Sequence, residues 1–260
     1  MKKYVSNRWL MFIFSISLVV GACSKEDEGD VEPKTENLEE VTLSLAAEGG
    51  ADAIEIPEAM SSSDDQHAQM AVGYVTMVNQ IGSYFTFFKP PAGAEKSNQP
   101  ITASNARTAA SQKEYLVYTW SSQGYTVAYQ LSDDGDKYVW EIFWKEGEGD
   151  FIKYVYAEES KTKKQGLMKI YDIFGFSGKG DVLYLFSWDK QDNGTLLITG
   201  SFPSENFYYT VTVNPDASGS VEYVLNDERV YMMTWTGEGN GTWAYYEDGE
   251  ISLEGTWEAV

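Results

Sequence analysis

The sequence predicts a mainly β protein (α+β): an antiparallel β-meander of about twelve strands, closed as a barrel or open as a half-barrel, with one N-terminal amphipathic helix packed on it. Three observations predict it. From Lys113 to the C-terminus, short apolar runs alternate with polar residues at the period of a strand. Turn-forming pairs separate those runs. The one convincing helical stripe, over residues 64–88, lies before them. No long helical pattern falls between the strands, so parallel crossovers are excluded.

The N-terminus comes first. Lys2, Lys3 and Arg8 precede an apolar run from Trp9 to Ala22. Fourteen residues rise about 21 Å as a helix, short of the roughly 30 Å hydrocarbon core, so the run reads as a signal peptide over 1–22. It ends in Val20-Gly21-Ala22-Cys23, which resembles the lipobox of bacterial lipoproteins. That resemblance implies cleavage before Cys23, lipidation of its thiol, and a lipid anchor in a membrane. The following Ser24, Lys25, Glu26, Asp27 and Glu28 resemble the surface-export signal of Bacteroidota lipoproteins, which implies an outer-membrane, surface-exposed location. An acidic tether that merely stays solvated is the plainer reading of the same residues.

Residues 23–59 read as a lipidated acidic tether. Between 24 and 59 stand twelve Asp or Glu and two Lys. Val41, Leu43 and Leu45, and then Ile54 and Ile56, alternate over two stretches short enough for edge strands only. The domain proper is expected over 60–260.

The helix is predicted next. Ser62 or Ser63 can cap it, Asp64 and Asp65 suit its first turn, and Pro90-Pro91 stop it. Ala71, Tyr74, Val75, Val78, Ile81, Phe85 and Phe88 follow one face, widened by Met70, Met77, Tyr84 and Phe87. His67, in the first turns, reads as a surface or cap residue. Residues 91–112 read as a loop.

The strands follow. Tyr125, Val127, Tyr129 and Leu131 alternate with polar or small residues, as do Tyr138 to Trp144, Val182 to Trp188 and Phe207 to Val213. Asp134-Gly135, Asn193-Gly194, Asn226-Asp227, Asn240-Gly241 and Asp248-Gly249 supply the turns. Several strands are apolar on both faces: Leu116, Tyr118 and Trp120 oppose Tyr115 and Val117. Something must cover part of the second face, and the helix has the width to do so. An open sheet carrying helices across its mouth is similar in architecture to LolA-like periplasmic lipoprotein folds. That likeness implies no motif or residue role.

Composition narrows function. One cysteine and one histidine exclude an intramolecular disulfide, a thiolate or multi-histidine metal centre, and leave little for a nucleophile–base pair. The net charge is −21; without Lys2, Lys3 and Arg8, 16 basic residues face 40 acidic ones, net −24. Nucleic acid is excluded as a partner on that balance. Asp189 to Gly194 lacks the ligands of a calcium loop at Gln191 and Gly200, and Asp133, Asp134 and Asp136 read as a hairpin. No catalytic residues, cofactor or metal are expected. Gly241-Thr242-Trp243 and Gly255-Thr256-Trp257 resemble the tryptophan–glycine hairpins of MORN-like repeats. Trp243 and Trp257 either close the last hairpin or form an aromatic platform for a ligand. Over nearly its full length the chain is similar to Bacteroidota lipoproteins for which no catalytic residues are recognised.

The leading expectation is a non-catalytic cell-envelope lipoprotein that binds an apolar or carbohydrate ligand. The rivals are a carboxylate-dependent, glycosidase-like hydrolase and a purely structural envelope component. Oligomeric state is left open.

Overall fold

A computed structural model describes residues 36–43, 54–86, 89–101, 113–176 and 178–258; at 36, 37 and 81–86 it describes the backbone alone. The expected signal peptide, Cys23 and the export residues Ser24, Lys25, Glu26, Asp27 and Glu28 lie outside the described residues.

Thirteen antiparallel strands make one sheet: β1 (Glu95–Ser97), β2 (Tyr115–Ser122), β3 (Tyr125–Asp133), β4 (Lys137–Glu146), β5 (Ile152–Ser160), β6 (Gln165–Tyr171), β7 (Val182–Lys190), β8 (Leu196–Phe202), β9 (Phe207–Val213), β10 (Gly219–Leu225), β11 (Glu228–Trp235), β12 (Gly241–Glu247) and β13 (Glu250–Trp257). Their order in space is their order in the chain. The first and last strands do not pair, so the sheet is open, and the closed-barrel alternative is set aside. Twelve of the strands follow Lys113. The thirteenth, β1, falls in the stretch expected to be loop, where Glu95, Lys96 and Ser97 carry no apolar alternation but pair with Val117 to Thr119.

The turns follow φ. Asn226 and Asp227, at 53° and 65°, and Asp248 and Gly249, at 52° and 79°, take the left-handed pair that matches strand twist. The Asn240-Gly241 turn expected from sequence sits one step earlier: Thr236 N–H donates to Asn240 and Gly239 N–H to the Thr236 carbonyl, and Gly241 opens β12.

Three helices precede the meander: α1 (Glu36–Glu39), α2 (Glu58–Ser61) and α3 (Gln66–Thr86). The cap of α3 is Asp65, rather than Ser62 or Ser63. Its Oδ1 accepts from His67 N (2.7 Å) and Ala68 N (3.2 Å), while Ser63 Oγ accepts from Asp65 N. Gln69 Nε2 reaches back to the Ser63 carbonyl at 2.8 Å. Among the described residues, Val41 to Leu43 and Ile54 to Ile56 form no strand, and Leu45 lies outside them. Leu38 and Leu43, 3% and 2% exposed, join the core, and the Ile54 backbone is clamped by both amide atoms of Asn79.

The core lies between one sheet face and these helices. Ala68, Ala71, Val75 and Val78 of α3 pack in a single cluster with Leu116, Trp140, Phe186, Ile198, Val211, Val221 and Met233. Every sheet residue in that cluster falls on one face by register. Ile81 and Phe85, expected on the same stripe, have undescribed side chains, and Phe88 lies outside the described residues.

Glycines recur on this face for a steric reason. Gly166, Gly200, Gly219, Gly241 and Gly255 stand in register opposite Trp188, Tyr209, Trp235, Trp257 and Trp243, and each ring lies over its glycine. A Cβ there would fall 1.9 to 2.6 Å from ring atoms. Two of the indoles also fix a turn: Trp235 Nε1 donates to the Ala217 carbonyl (2.9 Å) and Trp257 Nε1 to that of Gly239 (2.7 Å).

Candidate binding face

Period-two alternation places Tyr209, Tyr223, Tyr231 and Tyr245 on the helix-bearing face. Register then brings them into one row across four adjacent strands: Tyr209 pairs with Tyr223, Tyr223 with Tyr231, and Tyr231 with Tyr245. Ring centroids along the row are 6.5, 5.4 and 4.7 Å apart, within the range of favourable aromatic contact. Leu253, opposite Tyr245, ends the row at the free edge strand β13.

Helix α3 lies along the ladder. Tyr74 packs against Tyr209 and Tyr223, both at 5.5 Å. Burial pushes its hydroxyl up to about 12, with Tyr184 adding to the shift. Tyr209 OH meets Tyr184 OH at 2.5 Å and donates to Met77 Sδ at 3.5 Å. Phe202 and Phe207 extend the aromatic surface beside Tyr184 and Tyr223.

At the other end stands the one histidine. His67 is 3% exposed, contrary to the expected surface position. Its ring stacks on Trp243 at 4.1 Å and 15°, its Nδ1 meets Tyr231 OH at 2.8 Å, and its Nε2 meets Gln66. Burial lowers its pKa from the ordinary value, against the opposing charge of Asp65. Burial thus favours the neutral ring, and Asp65 serves both as helix cap and as neighbouring charge. No spacing in the sequence announces this contact, because Trp243 and Tyr231 lie at the far end of the chain.

The two tryptophans expected as a platform share this face, two register positions apart. They differ in access. Trp257 is 3% exposed, its ring over Gly241. Trp243 is half-buried between His67 and Tyr245. The accessible end of the ladder is therefore Trp243, Tyr245 and Leu253, the last two 38% and 58% exposed. Its lining is an indole, a phenol ring and a leucine side chain, with the buried His67 beneath the indole, a surface suited to stacking.

Carboxylates cluster elsewhere. On the opposite face Glu141 pairs with Lys153 and accepts from Gln130 Nε2 at 2.7 Å. Glu158 pairs with Lys137 at 2.7 Å and accepts from Tyr156 OH. Against the upward push of burial, Lys137 and Tyr156 hold the Glu158 carboxyl below the usual range. The aspartates of the 133–136 turn form no metal group among the described residues; Asp133 Oδ2 lies 2.7 Å from Lys161.

No family model matches the sequence, and no curated protein matches it. Among solved structures, the crystal structure of the Osh1 ORD domain in complex with cholesterol is similar over 76% of this chain and 48% of that one, at 9% identity and a TM-score of 0.24. This chain thus spans about half the length of that structure. So low a TM-score carries no weight for fold or ligand, and the face is read from its own residues.

Proposed function

We propose that this chain is a non-catalytic cell-envelope lipoprotein, anchored through Cys23 and displayed at the outer surface, whose β-rich domain binds an apolar or carbohydrate ligand at the open end of the tyrosine ladder. The observation that carries the binding reading is the row Tyr209–Tyr223–Tyr231–Tyr245, buried at one end and accessible at the other. Apolar ligands and sugar rings both pack on such faces, while His67, buried and bonded to Tyr231 and Gln66, holds Trp243 in place beneath them. The anchor rests on the lipobox-like Val20-Gly21-Ala22-Cys23, and surface display on the acidic run that follows.

The glycosidase-like alternative needs two carboxylates facing one substrate. Near the ladder no such pair supports it among the described residues. Glu141 and Glu158 lie on the other face, each held by a lysine.

Native mass spectrometry of protein extracted from its own membrane tests the binding reading. A bound species is expected on the wild-type chain, its occupancy at least tenfold lower in Tyr245→Ala and retained in Tyr245→Phe. The mass assigns the ligand as lipid-like or sugar. An unliganded wild-type chain would overturn binding and favour the purely structural role.

A further inference from the structure

The loop between β6 and β7 carries the two most exposed large apolar side chains among the described residues, Phe174 at 70% and Phe176 at 75%. Exposure of two neighbouring rings, 5.9 Å apart, is unusual for a loop left to itself. This loop is also built. Asp172 is fully buried, and its carboxylate accepts from the backbone N–H groups of Phe174 (3.1 Å), Gly175 (2.6 Å) and Gly178 (3.1 Å). Asp172 N donates to the Asp181 carbonyl and Gly180 N to that of Asp172, closing the base. Gly175, Gly178 and Gly180 all take positive φ, which lets the chain fold tightly beneath the rings. The rings are thus held outward by a buried carboxylate.

The surroundings are polarised. Strand direction puts the β2–β3, β4–β5, β6–β7, β8–β9, β10–β11 and β12–β13 turns along one rim of the sheet. Tyr125, Leu225 and Ile251, the other exposed large apolar residues next to turns, lie on that rim, and Tyr245 and Leu253 lie just inside it. The opposite rim carries none among the described residues; its turns hold Asp136, Lys161, Lys163, Lys164, Asp192 and Asp216. On the apolar rim, exposed Glu148, Asp150, Glu205, Asp227 and Asp248 stand in the turns, the exposed Arg229 is paired with Glu222, and the exposed Lys179 sits in the phenylalanine loop itself.

We infer that the Phe174–Phe176 loop dips into the headgroup layer of a zwitterionic lipid surface and turns the apolar rim, with the ladder's open end behind it, toward that membrane. The charges match such lipids. The acidic turns face the outer ammonium groups, Lys179 reaches the phosphate beneath, and the rings enter the acyl boundary. An anionic bilayer is disfavoured by the same acidic turns. A protein partner would be read through polar groups, and the tip from Phe174 to Gly180 offers one charged side chain and one serine beyond its glycines and phenylalanines. The inference deepens the proposed lipoprotein reading, since an anchor at Cys23 brings a bilayer within reach.

The test uses the full chain, recovered from its own membrane and reconstituted into phosphatidylcholine–phosphatidylethanolamine vesicles. An environment-sensitive fluorophore is placed on Phe176→Cys and, in a second chain, on Asp192→Cys at the opposite rim. A bilayer-embedded quencher is expected to quench position 176 several-fold more than position 192. Phe174→Ser should weaken the contact about tenfold, as expected for one buried ring. Equal quenching at both positions, or protection of position 176 only with a co-purifying protein, would overturn the inference. Label stoichiometry keeps the two readings apart. A lipidated Cys23 takes no label, so one label per chain is expected. Two labels would overturn the anchor, and the loop would still be read by subtracting the parent chain labelled at Cys23 alone.

Discussion

Strands β8–β11 and β2–β4 are cut from the same alternating hairpins, yet they bury different numbers of faces. In β8–β11 burial alternates apart from Val224 at the β10 bulge: Ile198, Val211, Val221 and Met233 point to the helices, while Thr199, Thr210, Thr212 and Thr234 line the outer face. Thr199 meets Thr210 at 3.2 Å and Thr234 meets Thr242 at 2.9 Å, hydroxyl ladders that suit a wet surface. In β2–β4 neighbouring residues are buried together: Leu116 with Val117, Gln130 with Leu131, Ile142 with Phe143. Polar groups on that second face are satisfied in place, with Ile101 N donating to Gln130 Oε1 at 2.7 Å and Gln130 in turn to Glu141. One face of burial needs only pattern; two faces need both pattern and a covered polar network.

The largest way to break this contrast is Phe143→Ala. The ring is 1% exposed on the outer face, between the Phe151 ring and Lys153, and its loss should cost about 3–5 kcal/mol by denaturant unfolding. A cost under about 1 kcal/mol would mean that the second face of β2–β4 is not core. Gly241→Ala comes next. Its new methyl would meet the Trp257 ring, so about 1–3 kcal/mol of stability should go, with a change in tryptophan fluorescence as the reporter. Unchanged fluorescence and melting would refute the ring-over-glycine arrangement. Thr242→Ala on the outer face sharpens the contrast from the other side, at under about 1 kcal/mol in the same unfolding assay.

Much of this was legible in the residues. The strand period from Lys113 onward predicts an antiparallel meander there, because pleating fixes which side chains share a face. Strand β1 was not legible, since three polar residues carry no period. The helix cap was misplaced because Ser62, Ser63, Asp64 and Asp65 are all competent, and only the N–H directions choose Asp65. Gly241 read as a turn residue because Asn-Gly is a turn signal; its role under Trp257 depends on cross-strand register. The ladder divides in the same way. Alternation put Tyr209 on its face, but Tyr223, Tyr231 and Tyr245 went unread, since aligning four tyrosines requires the loop lengths and bulges that set register, such as the shift at Tyr223 and Val224. His67 shows the limit, since its burial is decided by Tyr231 and Trp243 docking from the distant end of the chain.

The identity of spatial and sequential strand order has a kinetic side. Every hairpin can zip onto the one before it without closing a long loop, so the sheet accumulates local contacts as it grows. Nothing in such a series obliges the first hairpins to know about the last. That obligation falls to α3, which is synthesised before the sheet and then seats Ala71, Val75, Tyr74 and His67 on strands as late as β12. The helix acts as a clasp: until Trp243 and Trp257 emerge, its stripe has no complete floor, and the cooperativity of the fold waits on the last hairpin.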